Sequence, residues 1–181
     1  MLSELLEYQI VFEFLPWNQN EFVVRDSTME VQTSSGGYKS LVGNFVLRPG
    51  RVYAFSFQTI SSLNFKVGVV LKKHINDLSA NGQSIAGGFS DGEFGYAFYS
   101  QGFKRHNESK ITNTPKIGEP IGPGDVVTCV FDSAKGSLSV YVNKEFYALV
   151  YVEKSFTTEE FYPAIALLGD REKLRLTYYD V

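Results

Sequence analysis

A chain of 181 residues has ordinary single-domain length and can bury a core without disulfide or metal staples. Its 17 basic and 20 acidic residues give a formal net charge of −3 with no long run of either sign, which excludes the basic stripe of a dedicated nucleic-acid binder. The one cysteine, Cys129, excludes an intrachain disulfide and a cysteine-rich zinc site, and the expected compartment is intracellular, cytoplasmic or nuclear.

In chain order, Ser3–Glu7 has the composition of a single helical turn. The apolar stretch Tyr8–Leu15 follows, but Glu4 and Glu7 precede it, Glu13 interrupts it and no basic segment leads it in. It is too short for a bilayer, so neither a signal peptide nor a membrane anchor is expected. Within it Tyr8, Ile10, Phe12 and Phe14 alternate, the period of a strand with one buried face. Trp17, after Pro16, reads equally as an exposed anchor or as a lid on the core. Strands are expected at Glu21–Arg25 and Met29–Thr33. At Val52–Gln58, Tyr53, Phe55 and Phe57 share one face while Ala54, Ser56 and Gln58 share the other. Phe65, Val67, Val69 and Leu71 repeat the pattern, and further runs lie at Phe94–Ser100, Val126–Phe131, Leu138–Val142, Phe146–Val152, Ala164–Leu168 and Leu174–Tyr178.

Between these runs Arg48-Pro-Gly50, Gly87-Gly88, Asp91-Gly92, Gly122-Pro-Gly-Asp125 and Asp132-Ser-Ala-Lys-Gly136 supply turn chemistry. The last closes a hairpin with Gly136 in the left-handed position. Phe156–Glu160 is the other place for a short helical turn, and no stretch reaches the roughly 12 residues of an independent amphipathic helix. About a dozen short antiparallel strands imply two sheets packed face to face, or a barrel. An aromatic content of 15% suits such a pleated surface.

Few residues point to catalysis. His74 and His106 stand apart, without the nucleophile or further ligands of a triad or zinc site, and read as surface or hydrogen-bonding groups. Cys129 alternates with Val127 and Phe131 and reads as a packed thiol. Asp91-Gly-Glu93 and Asp170-Arg-Glu172 fall in turn-rich loops, not on a strand in the spacing of a sandwich glycosidase. Gly82–Gly95 lacks the lysine and following helix of a phosphate loop. The expectation is no enzyme, no cofactor and no metal.

Four ordered pieces carry a family resemblance. They are Gly37-Tyr-Lys-Ser-Leu-Val-Gly43 with Gly50-Arg-Val-Tyr-Ala-Phe-Ser-Phe57, then Phe65-Lys-Val-Gly-Val69, then Phe94-Gly-Tyr-Ala-Phe98 with His106-Asn107. The fourth is Gly124-Asp-Val-Val-Thr-Cys-Val-Phe-Asp132 with Leu138-Ser-Val-Tyr-Val-Asn143 and Phe161-Tyr-Pro-Ala-Ile165. In this order they resemble the SPRY domain, over roughly residues 22–178. Two departures stand out: Phe94 replaces the usual Trp, and Lys144 follows Asn143 where the family often has Gly, which makes Asn143 the candidate left-handed residue.

The resemblance implies an all-β fold, a bent antiparallel sandwich of two sheets of the concanavalin-like kind with at most one or two short helical turns. Residues 1–181 then form one domain, with an N-terminal extension and first strand at 1–20 and the SPRY core at 21–181. It also implies a non-catalytic module that binds a peptide segment or loop of a partner protein through loops at one end of the sandwich, as an adaptor or substrate-recognition domain. A carbohydrate-binding lectin is the alternative, although His106-Asn107-Glu108 does not reproduce the galectin spacing. Ubiquitin-ligase or chromatin-complex components are the partners implied; nucleic acid and membrane are not.

Tyr38 and Lys66 fall where SPRY domains resembling a histone-methylation subunit place a shared peptide-binding surface, and Tyr99 lies near a third such position. Lys39, Arg105 and His106 accompany them. Leu168 and Asp170, in Leu167-Leu-Gly-Asp-Arg171, match a peptide-contacting turn of the SOCS-box SPRY proteins. Tyrosine and arginine are also the residue types that dominate binding hot spots.

Overall fold

The computed structural model describes residues 14–15, 22–25, 28–31, 37–43, 45–62, 64–75, 88–107, 114–169 and 172–177. The strands in order are β1 (Phe14–Leu15), β2 (Phe22–Arg25), β3 (Thr28–Val31), β4 (Tyr38–Gly43), β5 (Val52–Thr59), β6 (Phe65–Leu71), β7 (Gly95–Tyr99) and β8 (Phe103–Arg105). They continue as β9 (Val126–Asp132), β10 (Ser137–Val142), β11 (Glu145–Val152), β12 (Phe161–Leu168) and β13 (Lys173–Thr177). Six form one sheet in the order β1-β4-β12-β6-β7-β8, and seven form the other in the order β11-β10-β9-β5-β13-β3-β2. Every pairing is antiparallel, so the fold is the expected two-sheet sandwich.

The alternating residues of the sequence meet between the sheets. Phe55, Phe57, Val127, Cys129, Phe131 and Val140 face Leu41, Phe65, Val67, Phe98, Ile165 and Leu167, all buried in one cluster. Phe57 meets Phe65 edge to face at 5.3 Å between centroids. Lys154–Thr157 forms the short helical turn expected near Phe156, two residues earlier than expected, and a further helical turn lies at 72–75. The turn expected at Ser3–Glu7, most of the first alternating run, and Trp17 lie outside the described residues.

Burial fails to alternate on several strands, β4 and β11 among them. β4 is read from sequence only as a lead-in, yet it runs beside β1 and β12 in the six-stranded sheet. Ser40, Leu41, Val42 and Gly43 are all buried because a second apolar cluster covers the sheet's outer face: Val42, Val70, Ala97, Ala164 and Ala166 with Ile75 and Phe89. A strand covered on both faces has no polar half to alternate with. β11 has two register shifts against β10, so Phe146, Leu149 and Val152, three residues apart, are exposed while Ala148 and Val150 are buried.

The β10–β11 hairpin sharpens the reading of Asn143. Asn143 and Lys144 both lie in the left-handed region, at φ 52° and 73°. Asn143 pays for this locally: its Oδ1 accepts from Val126 N–H at 2.9 Å and its Nδ2 donates to Asp125 Oδ1 at 2.8 Å. Lys144 is exposed and its left-handed backbone carries the Cβ penalty. Lys144→Gly is therefore expected to raise stability by about 0.5–1 kcal/mol, seen as a higher urea midpoint with an unchanged slope. A lower midpoint would contradict this account of the turn.

Candidate functional site

The outer face of the six-stranded sheet gathers four of the residues singled out in the sequence. Register aligns Ser40, Ala166, Lys66, Tyr99 and Phe103 in one row across β4, β12, β6, β7 and β8, and sets Tyr38 beside Leu168 at the row's flank. Tyr38 meets Tyr99 edge to face, with centroids 6.2 Å apart at 88°. The Arg105 guanidinium lies 5.1 Å from the Tyr99 ring and 5.2 Å from the Phe103 ring, and its Nη1 donates to Thr114 Oγ1 at 2.7 Å. Tyr99 O–H donates to Asn64 Oδ1 at 2.8 Å, while the Asn64 carbonyl accepts from Leu168 N–H at 3.1 Å.

Lys66 occupies the centre of the group and is 1% exposed. A buried ammonium needs compensation. Its Nζ stands 4.1 Å from the Tyr38 ring centroid and 3.0 Å from Asp91 Oδ1. A desolvated cation–π contact contributes up to about 2 kcal/mol, several times the value of an exposed one. The segment above it is Gly88–Asp91; a Cβ at Gly88 would lie 2.7 Å from Nζ. The lysine thus supports Tyr38 from below this segment and does not reach the surface.

Lys39 and His106 separate from this group for one reason: neighbours along an extended strand face opposite ways. Lys39 shares its row with Leu167 and Phe65, on the side of the main core. His106 stacks on Tyr96 at 4.1 Å between centroids, and its Nδ1 lies 2.8 Å from the Gly95 carbonyl, toward the opposite end of β7 from Tyr99. His74 stacks on Phe94. Leu168 lies beside Tyr38 and is half-buried; Asp170 falls outside the described residues. Asn64, Asp91, Phe103 and Thr114 were not anticipated in this role. Asp91 drew notice as a turn residue and as one of a pair of acids, and its partner turns out to be a lysine 25 positions away.

Chemically the arrangement offers aromatic faces, one cation and hydrogen-bonding groups. The Asp91 carboxylate is committed to Lys66 and to Gly88 N–H at 2.7 Å, not to a second acid. Burial pushes the Cys129 thiol well above its ordinary range, so the sulfur stays protonated and weakly nucleophilic. Among the described residues, no group of three or more His, Cys, Asp or Glu side chains is placed to hold a metal ion.

Comparison with curated proteins finds no match to this sequence. Solved structures match over nearly the whole chain. The SPRY domain of human HERC1 superposes with a TM-score of 0.66 at 17% identity, covering 93% of this chain and 99% of that one. The PSpry domain of TRIM65 gives 0.69 at 14%, covering 97% and 94%, and a further human SPRY domain gives 0.65 at 14%, covering 90% and 98%. At such identities the likeness establishes the fold. The SPRY-domain family profile matches residues 52–180, well over half of the sequence. SPRY domains in general are protein-interaction modules, and the chain belongs to the SPRY-domain family.

Proposed function

We propose that this domain is a non-catalytic module that binds a peptide segment or loop of a partner protein on the Tyr38–Tyr99–Arg105 face, with Leu168 at its flank, serving as an adaptor or substrate-recognition domain. The observation that carries the reading is the contiguous Tyr38–Tyr99–Arg105 group, edge to face between the tyrosines, held from behind by Lys66, Asn64 and Thr114. Tyrosine and arginine supply large contact area with hydrogen-bonding tips, and side chains already held in place lose little entropy on binding. The proposed surface draws on one end of the six-stranded sheet, and its side chains sit mostly on strands β4, β7 and β8. Components of ubiquitin-ligase or chromatin complexes are the partners to test first, in a reducing cytoplasm or nucleus where the lone Cys129 fits.

The test is affinity capture of partners by the unaltered domain, followed by titration with Tyr38→Ala and Arg105→Ala. Each is expected to weaken binding about 30-fold, the equivalent of a 2 kcal/mol hot spot. The melting temperature is expected to fall by no more than about 4 °C for Arg105→Ala and by roughly 4–8 °C for Tyr38→Ala, which also strips the ring from the buried Lys66 ammonium. Normal binding by both variants would remove the proposed surface. Glycan binding with no peptide ligand in a display screen would assign the sandwich to carbohydrate recognition instead.

A further inference from the structure

The segment Gly88–Asp91 lies on the outer face of the six-stranded sheet, beside the Tyr38–Tyr99–Arg105 surface. Its contacts have the form of a ligand bound in cis. Phe89 is 3% exposed and occupies a floor of small or β-branched side chains, Val42, Val70, Ala97, Ala164 and Ala166. Its N–H donates to Ser40 Oγ at 2.8 Å. Two residues on, the Asp91 carboxylate pairs with Lys66 at 3.0 Å and closes a turn by accepting from Gly88 N–H at 2.7 Å. A Cβ at Gly88 would lie 2.7 Å from Lys66 Nζ and 3.0 Å from Asp91 Oδ1, so a side chain there would have to push the ends of the paired Lys66 and Asp91 side chains aside.

The sheet therefore presents a receptor of definite chemistry beneath this segment: a seat for one aromatic ring, a hydroxyl at Ser40 for one backbone N–H, and one ammonium for a carboxylate. Lys66 and Asp91 differ in exposure, 1% against 41%, so the anion enters from the solvent side while the cation belongs to the sheet. The ring, the N–H and the carboxylate that the segment contributes are groups another polypeptide can supply, and an exchange of like for like leaves the apolar seat, Ser40 and Lys66 satisfied.

We propose that Gly88–Asp91 is an internal pseudo-ligand, and that the partner segment for this face carries glycine, an aromatic residue, a small residue in place of the fully buried Ser90 and an acid in that order, displacing Phe89 and Asp91 to occupy their places. The proposal rests on the reading that this face binds a partner, and it deepens it by naming the partner's chemistry. Because the internal segment competes at an effective concentration on the order of millimolar, a short peptide binds the unaltered domain weakly. A partner gains by engaging Tyr38, Tyr99 and Arg105 at the same time.

The test uses the whole chain and a labelled, end-blocked peptide Gly-Phe-Ser-Asp-Gly, followed by fluorescence anisotropy. Phe89→Ala empties the aromatic seat, and Asp91→Asn releases the carboxylate while keeping the ring. Each is expected to bind the peptide at least 10-fold more tightly than the unaltered domain does. Replacing the peptide's phenylalanine by alanine is expected to abolish the gain in Phe89→Ala, and replacing its aspartate by asparagine to abolish the gain in Asp91→Asn. If Phe89→Ala fails to melt cooperatively, Asp91→Asn decides the matter. No gain in a folded variant overturns the pseudo-ligand, as does a gain indifferent to the peptide's phenylalanine and aspartate. The Arg105→Ala titration touches none of the groups that hold this segment and needs the natural partner, so failure of the face and failure of the pseudo-ligand are read separately.

Discussion

Gly68→Ala is expected to cost about 3 kcal/mol or more, at the upper end of what overpacking does, and to separate β6 from β7. A Cβ at position 68 would strike the Tyr96 carbonyl oxygen and come within 2.9 Å of the Tyr96 carbonyl carbon and 3.0 Å of Ala97 Cα. All three are backbone atoms of a paired strand, so no rotamer change relieves the contact. The same pairing sets Lys66 beside Tyr99, so the variant is expected to lose partner binding along with stability. Urea denaturation with amide exchange on β7 reads both effects. A variant within 0.5 kcal/mol of the parent, on the order of an ordinary surface change, would show that the strands accommodate a side chain.

Phe156→Ala is expected to cost about 3–5 kcal/mol and to lower the melting temperature by roughly 6–20 °C. Phe156 sits on the short helical turn between β11 and β12, at the crossing from one sheet to the other. Its ring meets Phe131 at 5.1 Å, Phe161 at 5.3 Å and Tyr96 at 4.9 Å, all three near perpendicular or steeply tilted. Truncation leaves a cavity walled by three aromatic rings that cannot collapse without moving both sheets. Unlike Gly68→Ala, this variant leaves the Tyr38–Tyr99–Arg105 face in place. Below its melting temperature it is expected to bind partner with unchanged affinity, and a loss of affinity in the folded variant would couple the face to the central core.

Much of the candidate site was legible as residue types and little of it as geometry. Tyr38, Lys66, Tyr99 and Arg105 stood out, and they do converge. The strand period already contained the signal that separates Arg105 from His106 and Tyr38 from Lys39, since adjacent residues face opposite sides. That signal becomes usable only once β4 and β8 are recognised as strands. β8 is three residues long, and β4 is buried on both faces, so neither shows alternation. Asn64 and Thr114 enter through single hydrogen bonds across the fold, and no local pattern announces such a bond.

The sequence by itself determined the class of fold and much of its turn chemistry. Period-two runs such as Tyr53, Phe55 and Phe57 require a sheet with one buried face, and Asn143 and Gly136 take left-handed positions because local sterics decide them. Tertiary structure alone decided what each outward face meets. Ser40 to Gly43 are buried on both sides because a segment much later in the chain packs over them, Phe89 lying 49 positions after Ser40. A β11 register shift leaves Phe146 exposed although Ala148, two residues on, is buried. Lys66, an ordinary outward residue by its period, is sealed beneath Gly88 and Asp91. Alternation specifies which side chains share a face, but burial and pairing on that face depend on contacts between residues far apart in the chain.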